Sequence, residues 1–158
     1  MKCVTTGFLL AVLSFASMPV KAEPQKQVVG ATEVVLVTDA ELRFKARVDT
    51  GAKTSSIHAE NIELDLSGDL QGQPISFDLV TKEGQSKRIE TRVASVVSVR
   101  TAEQTERRYV VPLLIKWHGS TRTILVTLND RSRMDYRLLL GRNWLQGHYV
   151  VDVDKNTE

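Results

Sequence analysis

Asp49-Thr50-Gly51 is the segment of this chain with the plainest chemical content. It closes the run Ala46-Arg47-Val48, so it sets a carboxylate at the end of a strand, on a tight turn. Gly51 admits backbone geometry and close approach that a Cβ would obstruct. A carboxylate held this way can serve as a general acid or base. Asp, Thr and Gly are also ordinary turn residues, so the three alone do not choose between a reactive centre and a plain loop. A second segment is Arg137-Leu138-Leu139-Leu140-Gly141-Arg142-Asn143-Trp144-Leu145, an apolar strand that runs into Gly141 and then a helical turn. By itself it also fits an ordinary buried strand, turn and helix.

Other chemistries find little support in the residue types. Zinc sites take three or four His, Cys, Asp or Glu ligands, usually with a pair at short spacing on one element. His58, His118 and His148 are far apart, and there is no His-Glu-x-x-His. His58 and Glu60 lie close together past the Asp49 turn, and the expectation there is a loop histidine with a solvent or backbone partner. No Gly-x-x-x-x-Gly-Lys-Ser/Thr phosphate loop occurs. The expectation is therefore no cofactor, neither zinc nor nucleotide.

The elements that must position Asp49 read as strands. Thr32 to Val37, Leu42 to Val48, Ile75 to Val80, Arg88 to Val99, Arg108 to Trp117, Arg122 to Leu128 and His148 to Val153 are rich in Val, Ile, Thr and Leu and are separated by Gly, Asn, Asp and Ser. No segment sustains a helical apolar stripe over three turns; the best helix candidate is Gly141 to Gly147. Many short strands with turn signals predict an all-β closed or sandwiched sheet with one short C-terminal helix.

The first residues have the parts of a secretory signal: Lys2, an apolar run from Phe8 through Ala16, and Val20-Lys21-Ala22 as a small-x-small cleavage site. That apolar run falls short of the roughly 20 residues a bilayer span needs. Cleavage after Ala22 removes Cys3, the only cysteine, and two lysines, so the formal charge falls from +2 to zero. The expectations are a signal peptide over 1–22, a polar leader over 23–30 and one domain over 31–158, exported to the periplasm and free of the membrane after cleavage. A neutral domain gives no footprint for nucleic acid.

Taken together, the two chemical segments resemble the retropepsins, single-domain aspartic proteases of retroviruses and their cellular relatives. Asp49-Thr50-Gly51-Ala52 matches the catalytic Asp-Thr-Gly-Ala of that family, and Leu139-Leu140-Gly141-Arg142-Asn143 matches its hydrophobic-hydrophobic-Gly element followed by Arg-Asn. Ala46-Arg-Val-Asp-Thr-Gly-Ala-Lys-Thr-Ser-Ser-Ile-His-Ala59 is similar to the opening motif of a bacterial family often labelled "ATP-dependent zinc protease", some of whose members accompany glutamate ligases. The resemblance covers most of residues 34 to 153.

The resemblance implies an aspartic endopeptidase with half an active site per chain. Its chemistry needs two carboxylates about 3 Å apart sharing one proton. No second Asp-Thr/Ser-Gly is present, so a homodimer would supply the other Asp49. Thr50 would bond across the two-fold axis, Gly51, Ala52 and Lys53 would border a peptide or protein substrate, and Leu139 to Gly141 would pack behind the catalytic loop. Two departures stand out. Lys53 occupies the position of an acid that usually anchors Arg142, so Arg142 must find another acid or a carbonyl. Arg47 replaces a commonly apolar pocket residue: facing the pocket it would select acidic side chains, facing outward it would pair with a surface acid. The hairpin flap falls near Thr101 to Glu106, which places Thr101, Ala102 and Glu103 over the substrate, and that tip lacks glycine. From Asp49 to Leu139 runs 90 residues, with the surplus over compact viral enzymes around Glu60 to Gln85. Two rivals remain: a retropepsin-fold module that binds peptide without cutting it, and a metallopeptidase resting on the zinc label alone.

Overall fold

The protein was analysed as a computed structural model, which describes residues 25–100 and 105–155. Alternating apolar residues build it strand by strand. In β2 (Thr32–Val37) and β3 (Leu42–Val48), Val35, Val37, Phe44, Ala46 and Val48 point inward and their neighbours outward. The same alternation puts Val111, Leu113 and Ile115 of β8 (Thr105–Trp117) and Ile124, Val126 and Leu128 of β9 (Ser120–Asn129) in one core.

These strands close on themselves. The order β10-β3-β2-β8-β9-β4 returns to β10 (Leu138–Leu140), which pairs in parallel with β3 and antiparallel with β4 (Ser55–Leu64), giving a closed six-stranded barrel. Closure removes the free edges that an open sheet would expose. Leu138 and Leu140 are fully buried on the inner face. Each such leucine contributes about 1.5–3 kcal/mol of burial. The all-β barrel with one short helix, α1 (Arg142–Leu145), is the architecture expected from the sequence.

Off the barrel, β5 (Pro74–Val80) continues the sheet from the far half of β4 and pairs with β6 (Ser86–Arg92). Most of the extra length between the Asp49 turn and the following hairpin is this extension. The hairpin expected to be the flap is β7 (Ser95–Arg100) against β8, in register from Ser95↔Val110 to Arg100↔Thr105, so Thr105 and Glu106 belong to the strand and not to the tip. Thr101, Ala102 and Glu103 lie outside the described residues, as does the expected signal peptide.

Three readings of the sequence change. The polar leader carries a strand, β1 (Gln27–Val29), which pairs in parallel with β11 (Tyr149–Val151) and buries Val29. The continuous strand expected over Arg88 to Val99 breaks at Val93 and Ala94: Val93 bonds back to Gly72 and Gln73, while the Ala94 N–H donates to the Val110 carbonyl, so the chain changes partners there. His58 is no loop residue; it lies in β4, 1% exposed.

The β1/β11 ribbon is tied to the barrel by a buried acid. Glu33 accepts the Gly30 N–H at 2.7 Å and the Trp117 indole N–H at 2.8 Å, with the Lys155 ammonium 3.7 Å away. Trp117 meets Tyr149 edge-on, and Trp144 of α1 stacks on Tyr149 at 4.2 Å between ring centres. Such ring pairs add about 0.5–1.5 kcal/mol beyond burial.

Candidate active site

Asp49 follows the last residue of β3, and its backbone N–H donates to the Leu140 carbonyl at 2.9 Å. The chain therefore leaves β3 still hydrogen-bonded to β10. The carboxylate turns back on its own loop: Oδ1 accepts the Gly51 N–H at 2.9 Å and the Ala52 N–H at 3.2 Å. Two amide donors on one oxygen fix the carboxylate plane, and Oδ2 takes no part in these bonds. A Cβ on Gly51 would stand 3.1 Å from Oδ1, which is the close approach that asks for glycine there.

The Leu139-Leu140-Gly141-Arg142-Asn143 segment supports this loop from behind. Leu139 is half-buried opposite Arg47 and Ser56, and Leu140 is buried opposite Val48. Gly141 is wedged under the loop: a Cβ would fall 2.9 Å from the Ala52 carbonyl oxygen and 2.9 Å from the Thr54 carbonyl carbon. The Arg142 N–H donates to that same Ala52 oxygen at 2.8 Å. With Lys53 in place of an acid, the Arg142 guanidinium donates instead to the carbonyls of Thr50 (3.1 Å) and Gly51 (2.8 Å). Asn143 Oδ1 accepts the N–H and the hydroxyl of Ser55, at 2.9 and 2.8 Å, while its Nδ2 donates to Leu125 O. The Ser55 Oγ in turn accepts the Gly141 N–H at 3.0 Å.

Arg47, Val48, Asp49 and Thr50 line a cleft of 480 Å³ with Ala31, Val151 and Val153. Arg47 lies on the outer face of the barrel, exposed, with no acid in ion-pair distance among the described residues. Thr50, Gly51 and Lys53 are exposed, and Ala52 is half-buried.

Sequence reasoning missed Arg131. It lies in the loop after β9, where its Nε donates to Tyr136 O at 3.0 Å. Burial pushes its guanidinium below the ordinary value; the like charge of Arg108 adds to this, and the opposite charge of Asp49 works against it. Arg131 is therefore within electrostatic reach of both the flap strand and the candidate catalytic carboxylate. Arg108 is paired on its own strand with Glu106 at 2.9 Å. No spacing in the sequence announces Arg131, because its place is set by the loop after β9 and not by a periodic element.

Among the described residues no group of three or more His, Cys, Asp or Glu is arranged to hold a metal ion. His58, the residue nearest to that description, spends both ring nitrogens on protein partners, Glu60 Oε1 and the Arg131 N–H, each at 2.9 Å. No described helix is long and apolar enough to cross a membrane.

Comparison with known proteins identifies the family and the fold. Over 114 residues the chain is 37% identical to a protein of Shewanella pealeana named "Probable alpha-L-glutamate ligase", covering 69% of this chain and 24% of that protein. A protein of the same name from Parasynechococcus marenigrum is 36% identical over 113 residues, again with 24% of its length covered. The chain thus spans about a quarter of these relatives. The crystal structure of Lpg0085, a protein of unknown function from Legionella pneumophila, superposes with a TM-score of 0.68 at 32% identity, covering 82% of this chain and 95% of that one. The family described as "Retropepsin-like aspartic endopeptidase RimB" matches residues 28–157, and the chain belongs to this RimB-like, retropepsin-like family.

Proposed function

We propose that the protein is an aspartic endopeptidase whose active site forms when two copies bring their Asp49 residues together, and that it prefers acidic peptides. The observation that carries this is Asp49 itself: one carboxylate oxygen pinned by two backbone amides, at the mouth of a cleft, on a loop backed by Gly141 and Arg142. The chain holds one such loop, and an isologous dimer supplies its equal. Val151 and the exposed Val153 border the same cleft, with exposed Val28 and Val150 on the adjoining ribbon, an apolar rim suited to a second copy.

In the dimer one carboxylate takes a proton from the attacking water while the other, protonated, donates to the scissile carbonyl oxygen. Water oxygen bonds to the carbonyl carbon, giving a tetrahedral diol. Its collapse returns a proton to the leaving nitrogen as the C–N bond breaks, and the two carboxylates again share one proton. Arg47 and Arg131 supply positive charge on the substrate side of Asp49, which favours glutamate or aspartate beside the scissile bond. The relatives named as glutamate ligases, of which this domain is a quarter, support a substrate rich in such residues. Export by the 1–22 signal would set this activity in the periplasm.

A second reading draws on those same relatives. A domain joined to a ligase could bind an acidic peptide without cutting it. Peptidase assay of Asp49→Asn against wild type decides: loss of activity in a folded variant supports the dyad, whereas peptide binding with no cleavage by either protein supports the binding module. Activity lost to a chelator and restored by zinc would favour a metallopeptidase over both.

A further inference from the structure

His58 is a deeply buried titratable side chain that the catalytic account leaves unused. Its position is unusual for a group that can carry charge: 1% exposed, on the outer face of β4, under the loop that follows β9. The Arg131 backbone N–H donates to its Nδ1 at 2.9 Å, so Nδ1 carries no proton. The ring proton then resides on Nε2, which donates to Glu60 Oε1 at 2.9 Å. The neutral imidazole thus holds the backbone of Arg131, whose guanidinium bonds to Tyr136 O and is close enough to Asp49 to feel its charge.

A second acceptor waits beside Nδ1. Asp130 Oδ1 stands 3.7 Å away, and the Ser132 hydroxyl and N–H hold the Asp130 carboxyl below its ordinary range, with a smaller contribution from His58. Asp130 therefore keeps its negative charge in mildly acidic solution. A protonated Nδ1 cannot accept from Arg131; it can only donate, and Asp130 is the acceptor at hand. The remaining charged groups around the ring are Glu60 on β4, Arg133 in the loop, Arg137, whose carbonyl accepts the His58 N–H at 2.8 Å, and Lys82, which reaches the loop at Met134 O. Glu60 and Asp130 are the anions of this region, and Arg131, Arg133, Arg137 and Lys82 its cations.

We propose that His58 is a pH-sensitive positioning residue: neutral, it holds Arg131 toward Asp49 for acidic substrate; protonated, it exchanges the Arg131 N–H for Asp130 and releases the loop. This rests on the peptidase reading for its functional arm only. The sign follows from which state is bonded. Positioning is complete at high pH and is lost as pH falls, independently of the proton that the catalytic dyad needs.

The test has two arms. In ¹⁵N-labelled protein, His58 should show the Nε2–H tautomer at neutral pH, and the Arg131 amide resonance should titrate with the same midpoint as the His58 ring. In the assay, KM for a glutamate-containing peptide should rise roughly three- to tenfold across that midpoint, the range expected for one lost buried hydrogen bond. His58→Asn places an uncharged acceptor near Nδ1 and should keep the low KM on both sides. An Arg131 amide that ignores the His58 titration overturns the proposal, as does a His58→Asn enzyme with the wild-type rise in KM. If the wild type cleaves nothing, the peptidase reading fails by itself, and the resonance arm still decides the switch without any variant.

Discussion

The Arg142 guanidinium donates to the Gly51 carbonyl oxygen at 2.8 Å, joining the short helix to the Asp49 turn across 91 residues of chain. A backbone carbonyl does the work that an acid at position 53 would otherwise do, and it needs no charge on the loop. Lys53 is therefore compatible with the fold.

Arg142→Ala should cost about 1 kcal/mol of stability, since the bond is exposed, but should lower kcat by tenfold or more because the Asp49 loop loses its tether. Denaturant unfolding and steady-state kinetics on the same preparation separate the two effects. Equal damage to both would mean that Arg142 supports the fold as a whole.

Two glycines should respond oppositely. At Gly141 the added Cβ meets backbone at 2.9 Å, so Gly141→Ala should destabilise by about 1–3 kcal/mol. At Gly51 it meets the Asp49 carboxylate at 3.1 Å, so Gly51→Ala should remain folded and lose activity. Thermal melts of the pair check the first claim and peptide hydrolysis the second.

Glu33→Ala should be among the most damaging single changes, because it leaves the Trp117 indole N–H and the Gly30 N–H buried without an acceptor. Each unsatisfied donor costs about 1–3 kcal/mol. A red shift of tryptophan emission from Trp117 would report the ribbon coming away; an unshifted spectrum with unchanged stability would contradict the latch.

What could be read from the sequence follows from how each segment is buried. β2 and β3 alternate because one face meets the core and the other does not, and their limits match the sequence reading. The Asp49 turn and the Gly141 segment were legible because each needs particular residue types in a row. β4 was not: Ser55, Ser56, Ile57, His58 and Ala59 are all buried, so the strand shows no alternation and reads as a polar loop. β1 stayed hidden because its partner β11 lies at the other end of the chain. Arg131 was not legible because it sits in a loop that carries no periodic signal.

Arg47→Leu should shift cleavage away from peptides with Glu or Asp beside the scissile bond and toward apolar ones, lowering kcat/KM for acidic peptides about tenfold. Cleavage profiling of a peptide library checks this. An unchanged profile would leave acidic preference to Arg131 or remove it from the account.

Asp49→Asn removes the group that the shared-aspartate mechanism cannot lose. The variant keeps the size of the side chain and an oxygen that can accept from Gly51 and Ala52, so it should fold and dimerise with stability near wild type. It should show no hydrolysis at any pH, whereas wild type should be most active in mildly acidic solution and lose activity on dilution below its dimer dissociation constant. Excess Asp49→Asn mixed with wild type should suppress activity as subunits exchange, because a mixed dimer carries one carboxylate. Full activity in Asp49→Asn, or in a demonstrated monomer of the wild type, would contradict the shared-aspartate mechanism.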